Sequence, residues 1–305
     1  MRHRLACLMA LSATASPAAR AQDVLRLPVY GAVEAGMGLT LSAATGAAAL
    51  FATPVGMAAR APEAALTVLR WNDGRPITLG ALAATRPIGR GGGVRPVVGV
   101  FATGFVRGDD AGEAGSASEI AAGAALSIGA GPLRVGVAAR GVRVAFDDAV
   151  FSGLTVDAGA QGTFAAGDLV VGGALRHAGP ALSGPGDLRA DLPGEVRAGA
   201  SWRALSVRAA DGGAPIARLR VAADLASATG DATRQTFHAG AEVVAFDQFS
   251  GRIGRVTALG DTPDALSRWT FGLGYRQGRL HADAAVLPSP EGTDPSVSFT
   301  LRTAL

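Results

Sequence analysis

Arg268-Trp269-Thr270-Phe271-Gly272-Leu273-Gly274-Tyr275-Arg276 alternates large apolar residues with polar or small ones without a break. Trp269, Phe271, Leu273 and Tyr275 fall on one face of an extended chain, and Arg268, Thr270, Gly272, Gly274 and Arg276 on the other. After Gln277-Gly278 the alternation resumes, with Leu280, Ala282, Ala284 and Val286 set against His281, Asp283 and Ala285. Successive side chains of a strand point to opposite faces, so a period of two broken by a two-residue turn predicts a β-hairpin.

Similar units recur outward from this stretch, giving about 14 candidate strands after residue 63. They fall at 64–71, 77–84, 95–106, 118–130, 133–143, 154–164 and 168–177, then 194–202, 216–226, 236–246, 249–257, 268–276, 279–287 and 296–304. Most have the length that a tilted strand needs to cross a bilayer. Short turns such as Ala130-Gly131-Pro132, Ala166-Gly167-Asp168 and Gln277-Gly278 alternate with longer segments at 107–117, 144–153, 178–193 and 258–267. That rhythm is expected of a barrel with tight periplasmic turns and longer external loops.

The start of the chain reads as an export signal. Arg2, His3 and Arg4 precede an apolar run, and Ala19-Arg20-Ala21 is a small-x-small cleavage site, so residues 1–21 are expected to be removed before Gln22. No later stretch supplies about 20 uninterrupted apolar residues for a membrane helix. The single cysteine, Cys7, lies inside the signal, which excludes a disulfide or a thiolate metal site in the remaining 284 or so residues. With 43 glycines, 49% hydrophobic residues and only 17% charged residues, long helices are poor candidates. The basic residues are all arginine, and at a net charge of +3 there is no basic run to suggest nucleic acid.

These observations predict an all-β, antiparallel up-and-down transmembrane barrel over 64–305, in the outer membrane of a Gram-negative-type bacterium. An open sheet in lipid would leave edge amides unpaired at several kcal/mol each, so closure is required there. Val196, Ala198, Ala200 and Trp202, with Leu219, Val221, Ala223 and Leu225 and then Phe237, Ala239, Ala241 and Val243, are expected to face lipid. Facing the lumen are Glu195, Arg197, Arg218, Arg220, Asp224, His238, Glu242, Arg268, Arg276, His281, Asp283 and Arg302. Mixed charge of this kind reads first as a pairing network that fills the lumen. Trp71, Trp202 and Trp269 are candidates for an interfacial girdle in a chain with only two tyrosines. The terminal run Val297, Phe299, Leu301, Thr303, Leu305 resembles the strand that barrel-assembly machinery recognises. An exported β-sandwich or solenoid is the soluble alternative, disfavoured by so apolar an outer face.

Several fragments carry a family resemblance. Gly36-Met37-Gly38 and Ala49-Leu50-Phe51-Ala52-Thr53-Pro54-Val55-Gly56-Met57-Ala58 resemble the amino-terminal segment of the PorV/PorQ-like proteins of the FadL superfamily, with Thr53 and Val55 where asparagine and alanine are usual. Further along, Val156-Asp157-Ala158-Gly159-Ala160, the stretch Gly173 to Pro180 with His177 in place of asparagine, Val196 to Trp202, His238-Ala239-Gly240-Ala241-Glu242, Ser250 to Gly254, and the hairpin from Phe271 to Pro288 are similar to units of that family in the same order. The resemblance implies a 14-stranded barrel with its amino-terminal segment, residues 22–63, lying plug-like near or inside the lumen. It implies either uptake of hydrophobic molecules such as long-chain fatty acids or service to type IX protein secretion. Thr53, Pro54, Val55 and Gly56 are the candidate plug motif, because Pro54 cannot donate a ladder bond and Gly56 frees the backbone. A purely structural membrane barrel is the bland alternative.

Enzymatic chemistry is not expected. His177, His238 and His281 are dispersed, and no Gly-x-Ser-x-Gly elbow occurs, since Arg203 stands where Gly199-Ala200-Ser201 would need its second glycine. Three scattered histidines without cysteine predict no metal site, and Gly91-Gly92-Gly93 lacks the Gly-Lys-Ser/Thr ending of a phosphate loop. No cofactor is expected.

Overall fold

A computed structural model describes residues 30–42, 44–57, 61–73, 75–89, 94–107, 117–146, 148–192, 194–208, 215–229, 231–260, 267–288 and 294–305. The export signal read at 1–21 lies outside them. Fourteen long strands form the wall. They are β1 (Glu63–Asp73), β2 (Arg75–Pro87), β3 (Val94–Arg107), β4 (Ala117–Ala130), β5 (Leu133–Phe146), β6 (Ala149–Phe164) and β7 (Leu169–Ala178). A small hairpin of β8 (Leu182–Ser183) and β9 (Arg189–Ala190) follows. The wall continues as β10 (Glu195–Arg208), β11 (Pro215–Ala228), β12 (Asp231–Ala245), β13 (Phe249–Gly260), β14 (Arg268–Gln277), β15 (Leu280–Leu287) and β16 (Ser296–Ala304).

Each wall strand pairs antiparallel with its neighbours, β7 pairs with β10, and β16 returns to β1 in the register Glu63↔Ala304 to Arg70↔Val297. The sheet is therefore a closed barrel, and closure leaves no long wall strand with a free edge. All fourteen strands read from alternation are present. The expected loop at 144–153 is corrected: β5 and β6 continue through it, Phe146 pairs with Ala149, and only residues 147–148 connect them. The sequence template failed there because it sought apolar residues on the outer face. Near this end of the barrel Val142, Val144 and Phe146 turn inward while Arg143 is outside. The strand ends that flank the other three long segments all lie at the same end, opposite the barrel's two termini.

The outer surface carries the expected apolar face. Leu273, Val100, Ile120, Leu154, Val196 and Phe271 all stand exposed on it. Trp202 and Trp269 are 52% and 51% exposed, but Trp71 is only 6% exposed and points inward, so it is removed from the proposed girdle.

The lumen has two unlike halves. Along β1–β5 the inward positions are mostly apolar or small, including Ala65, Leu69, Leu79, Phe101, Phe105 and Ala138. From β10 to β16 they are charged or hydroxylated, including Arg197, Asp224, His238, Glu242, Arg252, Thr270 and Thr300. Residues 30–57 run through this space. Helix α1 (Ala32–Gly36) packs on β13–β16, a 3-10 turn at Ala47–Phe51 packs on β1–β3, and a second at Pro54–Gly56 packs on β4–β6. Helices this short do not persist alone, so the wall supplies their stability. The segment matches the lumen: Leu50, Phe51 and Met57 join the apolar half in one buried cluster with Ala83, Val97 and Phe101.

Candidate functional site: a segment latched across the lumen

On the charged half, wall side chains satisfy the backbone of the lumen segment. Following the chain, the Ala32 amide donates to Thr300 Oγ1 at 2.8 Å. The Gly38 amide donates to Thr270 Oγ1 at 2.9 Å, and that hydroxyl donates to the Gly36 carbonyl at 3.1 Å. His238 Nδ1 meets the Gly38 carbonyl at 2.8 Å, and Arg197 Nη1 donates to the Leu39 carbonyl at 2.6 Å. The Leu41 and Ser42 amides both donate to Asp224 Oδ2. Farther on, the Ala47 amide donates to Glu63 Oε1 at 3.2 Å, and Arg176 Nη2 donates to the Phe51 carbonyl at 3.3 Å. A buried backbone group without a partner costs roughly 1–3 kcal/mol, so these residues are what permits irregular chain inside the barrel.

The close approach depends on small wall residues. Gly240 of β12 and Gly254 of β13 are cross-strand partners, and they form the seat of Met37-Gly38. A Cβ on Gly254 would lie 2.0 Å from the Gly38 nitrogen, and one on Gly240 would lie 2.3 Å from the Met37 carbonyl oxygen. On the other half, a Cβ at Gly136 would lie 2.8 Å from the Pro54 carbonyl carbon. Thr53, Pro54, Val55 and Gly56 are all buried in this position, with Thr53 Oγ1 facing Gly159 of β6.

Beneath the latch a ladder of alternating charge draws on five strands between β11 and β16. Arg220 Nη2 contacts Glu242 Oε2 at 2.9 Å, Glu242 Oε1 accepts from Arg252 Nε at 2.7 Å, Arg252 Nη1 lies 2.9 Å from Asp283 Oδ1, and Arg302 Nη2 donates to Asp283 Oδ2 at 3.0 Å. Arg252 of β13 reaches Asp283 of β15 over β14, and Gly274 leaves the room: a Cβ there would sit 2.4 Å from Asp283 Oδ1. The two glycines of the Phe271–Tyr275 stretch thus have separate duties, since a Cβ on Gly272 would lie 3.1 Å from the Gly36 Cα of α1, whereas Gly274 lies under the ion pair. Burial pushes the Glu34 carboxyl of α1 above the usual carboxylate range, opposed in part by Arg302 and Arg252.

The residues named from sequence as one lumen network divide into four environments. Asp224 and His238 hold the segment, with Arg197 Nη1 also 3.8 Å from Asp224. Arg220, Glu242 and Asp283 belong to the ladder. Arg268 lies under the Trp71 ring, 4.9 Å from its centroid, which explains why that tryptophan is inside. Arg218, paired with Asp247, and Arg276 and His281 line the lumen near the barrel's termini. Sequence reasoning passed over Arg252, Thr270 and Thr300. It also left Arg140, which pairs with Asp157, outside the network. Cross-strand register links several of these, since Glu242↔Arg252 is a direct pair, but register is not readable before the strands are aligned.

His177 stands where the family resemblance expects asparagine. Its φ is +53°, at a bulge where Arg176 and His177 together oppose Asp157, and its amide donates to Asp157 Oδ1 at 2.7 Å. Asparagine and histidine are both enriched in this left-handed region, so one backbone requirement accounts for either residue.

Neither protein-family models nor curated proteins give a match to the chain. Solved structures do. CymD, a monoaromatic hydrocarbon channel, aligns with a TM-score of 0.61 at 14% identity, covering 92% of this chain and 98% of that one. The toluene transporter TodX of P. putida aligns at 0.59 and 14%, covering 92% and 99%, and a Pseudomonas aeruginosa FadL homologue at 0.59 and 13%, covering 90% and 98%. With identities this low, what the likeness establishes is the fold: this chain is a closed fourteen-stranded barrel of the architecture those channels share.

Proposed function

We propose that the protein is a non-enzymatic outer-membrane transport barrel of FadL-like type, held closed by residues 30–57 and opened when that segment leaves its seat. The observation that carries this reading is the latch: seven wall side chains outside the ladder, from Thr300 round to Arg176, hold an irregular segment by its backbone. A barrel needing only a filled core could use apolar packing throughout. Hydrogen bonds between wall side chains and an irregular backbone can instead be exchanged for water, which suits a part that moves. The apolar outer face suits lipid, and the FadL homologue, CymD and TodX support transport as the use of such a barrel. The cargo favoured by those relatives is a small hydrophobic molecule.

A secretion accessory of the PorV/PorQ kind is the second reading, and a specific observation favours it. Beside the latch, between Thr53, Val55, Gly173 and Asp224, the cavity is about 20 Å³, enough for one water and not for a hydrocarbon. Uptake therefore requires the segment to move, whereas a scaffold does not. Purified barrel reconstituted in liposomes, assayed with a fluorescent fatty acid, toluene and small polar solutes, tests the two. Saturable transfer of the apolar solutes without steady ion current is expected. A demonstrably folded barrel that transfers none of them sinks the transport reading.

A further inference from the structure

Below the latch, toward the end that carries the barrel's termini, the lumen widens into a chamber of about 380 Å³ roofed by Val33 and Thr45 of the lumen segment. That volume is in the range of small-molecule sites. Arg203, Arg218, Arg220, Arg252, Arg276 and Arg302 line it, against only Glu242, Asp247 and Asp283. Asp168 pairs with Arg203 from behind at 3.3 Å, and the cations still outnumber the carboxylates. Arg276 makes no ion pair among the described residues. A structural network is expected to balance its charge, because an unmatched cation in a confined, low-dielectric space is repelled by its neighbours. Among the described residues this one is left short of anions.

We propose that the chamber is a binding site for a multiply charged oxyanion of phosphate or sulfonate type, whose oxygens bridge Arg276 and Arg218 at the mouth and reach toward Arg220 and Arg302. Guanidinium forks match the geometry of such groups and remain charged at any physiological pH. Closed walls of low dielectric focus the excess positive field into the opening. The aliphatic contribution to the lining, Val33 and Val244, is too small to hold a long tail, so the anionic group provides the recognition. The ligand would touch the underside of the lumen segment. The site does not depend on the barrel conducting anything, so it stands or falls separately from the transport reading.

Fluorescence anisotropy of pyranine, a trisulfonated pyrene dye, with the whole barrel in neutral detergent tests the site. Saturable binding that weakens with salt is expected, and Arg276→Glu should weaken it about tenfold or more. Arg189→Ala, on the β8–β9 hairpin at the opposite end of the barrel, should leave it unchanged, and Arg218→Ala serves if the first variant does not fold by heat-modified gel mobility. Displacement by inorganic pyrophosphate assigns a free solute, and displacement only by dihexanoyl phosphatidic acid assigns a lipid headgroup. No saturable binding, equal binding of a cationic dye, displacement by neither competitor, or full affinity in folded Arg276→Glu and Arg218→Ala overturns the proposal.

Discussion

A single missing methyl group decides whether the lumen segment can lie down. Gly254→Ala places a carbon 2.0 Å from the Gly38 nitrogen, a distance backbone cannot tolerate, while the outer surface of β13 is untouched. The expected outcome is a folded barrel with a displaced segment, detected as new ion conductance in planar bilayers; silence equal to wild type would show that the seat is not what closes the lumen. Glu242 is 7% exposed between Arg220 and Arg252, so Glu242→Ala takes a carboxylate from both cations and leaves Arg252 with Asp283 alone to share with Arg302. Removing one member of a buried pair typically costs about 3–5 kcal/mol, and a fall in the temperature at which the barrel loses its heat-modified gel mobility is expected. Glu34 behaves differently. Because burial raises its carboxyl above the unfolded value, its favourable contribution is complete below the unfolded value and is lost as pH rises through the folded one. Protease access to residues 30–57 should therefore increase with pH, and Glu34→Gln should flatten that dependence. Such single-residue effects were legible only in part. Gly272 and Gly274 were visible in the alternation as small positions, but their separate partners, α1 and the Arg252–Asp283 pair, come from parts of the chain far away.

Elements explain why the strand count was readable and the loop lengths were not. A strand crossing lipid must alternate, so all fourteen declared themselves. Beyond the apolar belt the constraint reverses, and β5 and β6 bury Val144, Phe146 and Phe151 inward. There Val144 and Phe151 pack with Leu182 and Ala190 of the β8–β9 hairpin, which folds onto β6 through the single pair Ser152↔Ser183. Nothing in 178–193 announced this, because two-residue strands carry no periodicity. The expected mature chain lacks cysteine, so Ser152→Cys with Ser183→Cys makes a clean test. Directly opposed residues on antiparallel strands have Cα atoms about 4.5–5.5 Å apart, within the span of a disulfide. Spontaneous oxidation to an intramolecular crosslink in intact cells is expected; two free thiols would mean the hairpin does not rest on β6.

For the whole molecule, the asymmetry of the lumen is the organising fact. An apolar half along β1–β5 and a charged half along β10–β16 were both written in the sequence. The second was noticed because charge stands out against Ala, Val and Leu, and the first was not, since both faces of those early strands are apolar and read as one. Tryptophan fluorescence reports the resulting arrangement from outside. Brominated lipid should quench Trp202 and Trp269, which are 52% and 51% exposed on the outer wall, and spare Trp71, which is 6% exposed beside Arg268. Quenching that persists in a Trp202→Phe, Trp269→Phe variant would place Trp71 in lipid and invert the assigned faces of β1.

The order of the latch bonds has a mechanical consequence. Ala32 and Gly38 meet β16, β14 and β12, and Leu39 and Leu41 meet β10 and β11, so apart from the exchange of the last two strands the contacts follow one another along both the chain and the circumference of the wall. Tension applied at the amino-terminal end loads them in series, one or two at a time, as tape is peeled from a surface. Tension applied from the Glu63 side meets first the turn at Pro54–Gly56, packed on β4–β6, and then the apolar turn at Ala47–Phe51, wedged on β1–β3, and loads that packing as a block. The same segment is thus weak to a pull from one end and strong to a pull from the other, a directional fastener made from an undirected set of hydrogen bonds.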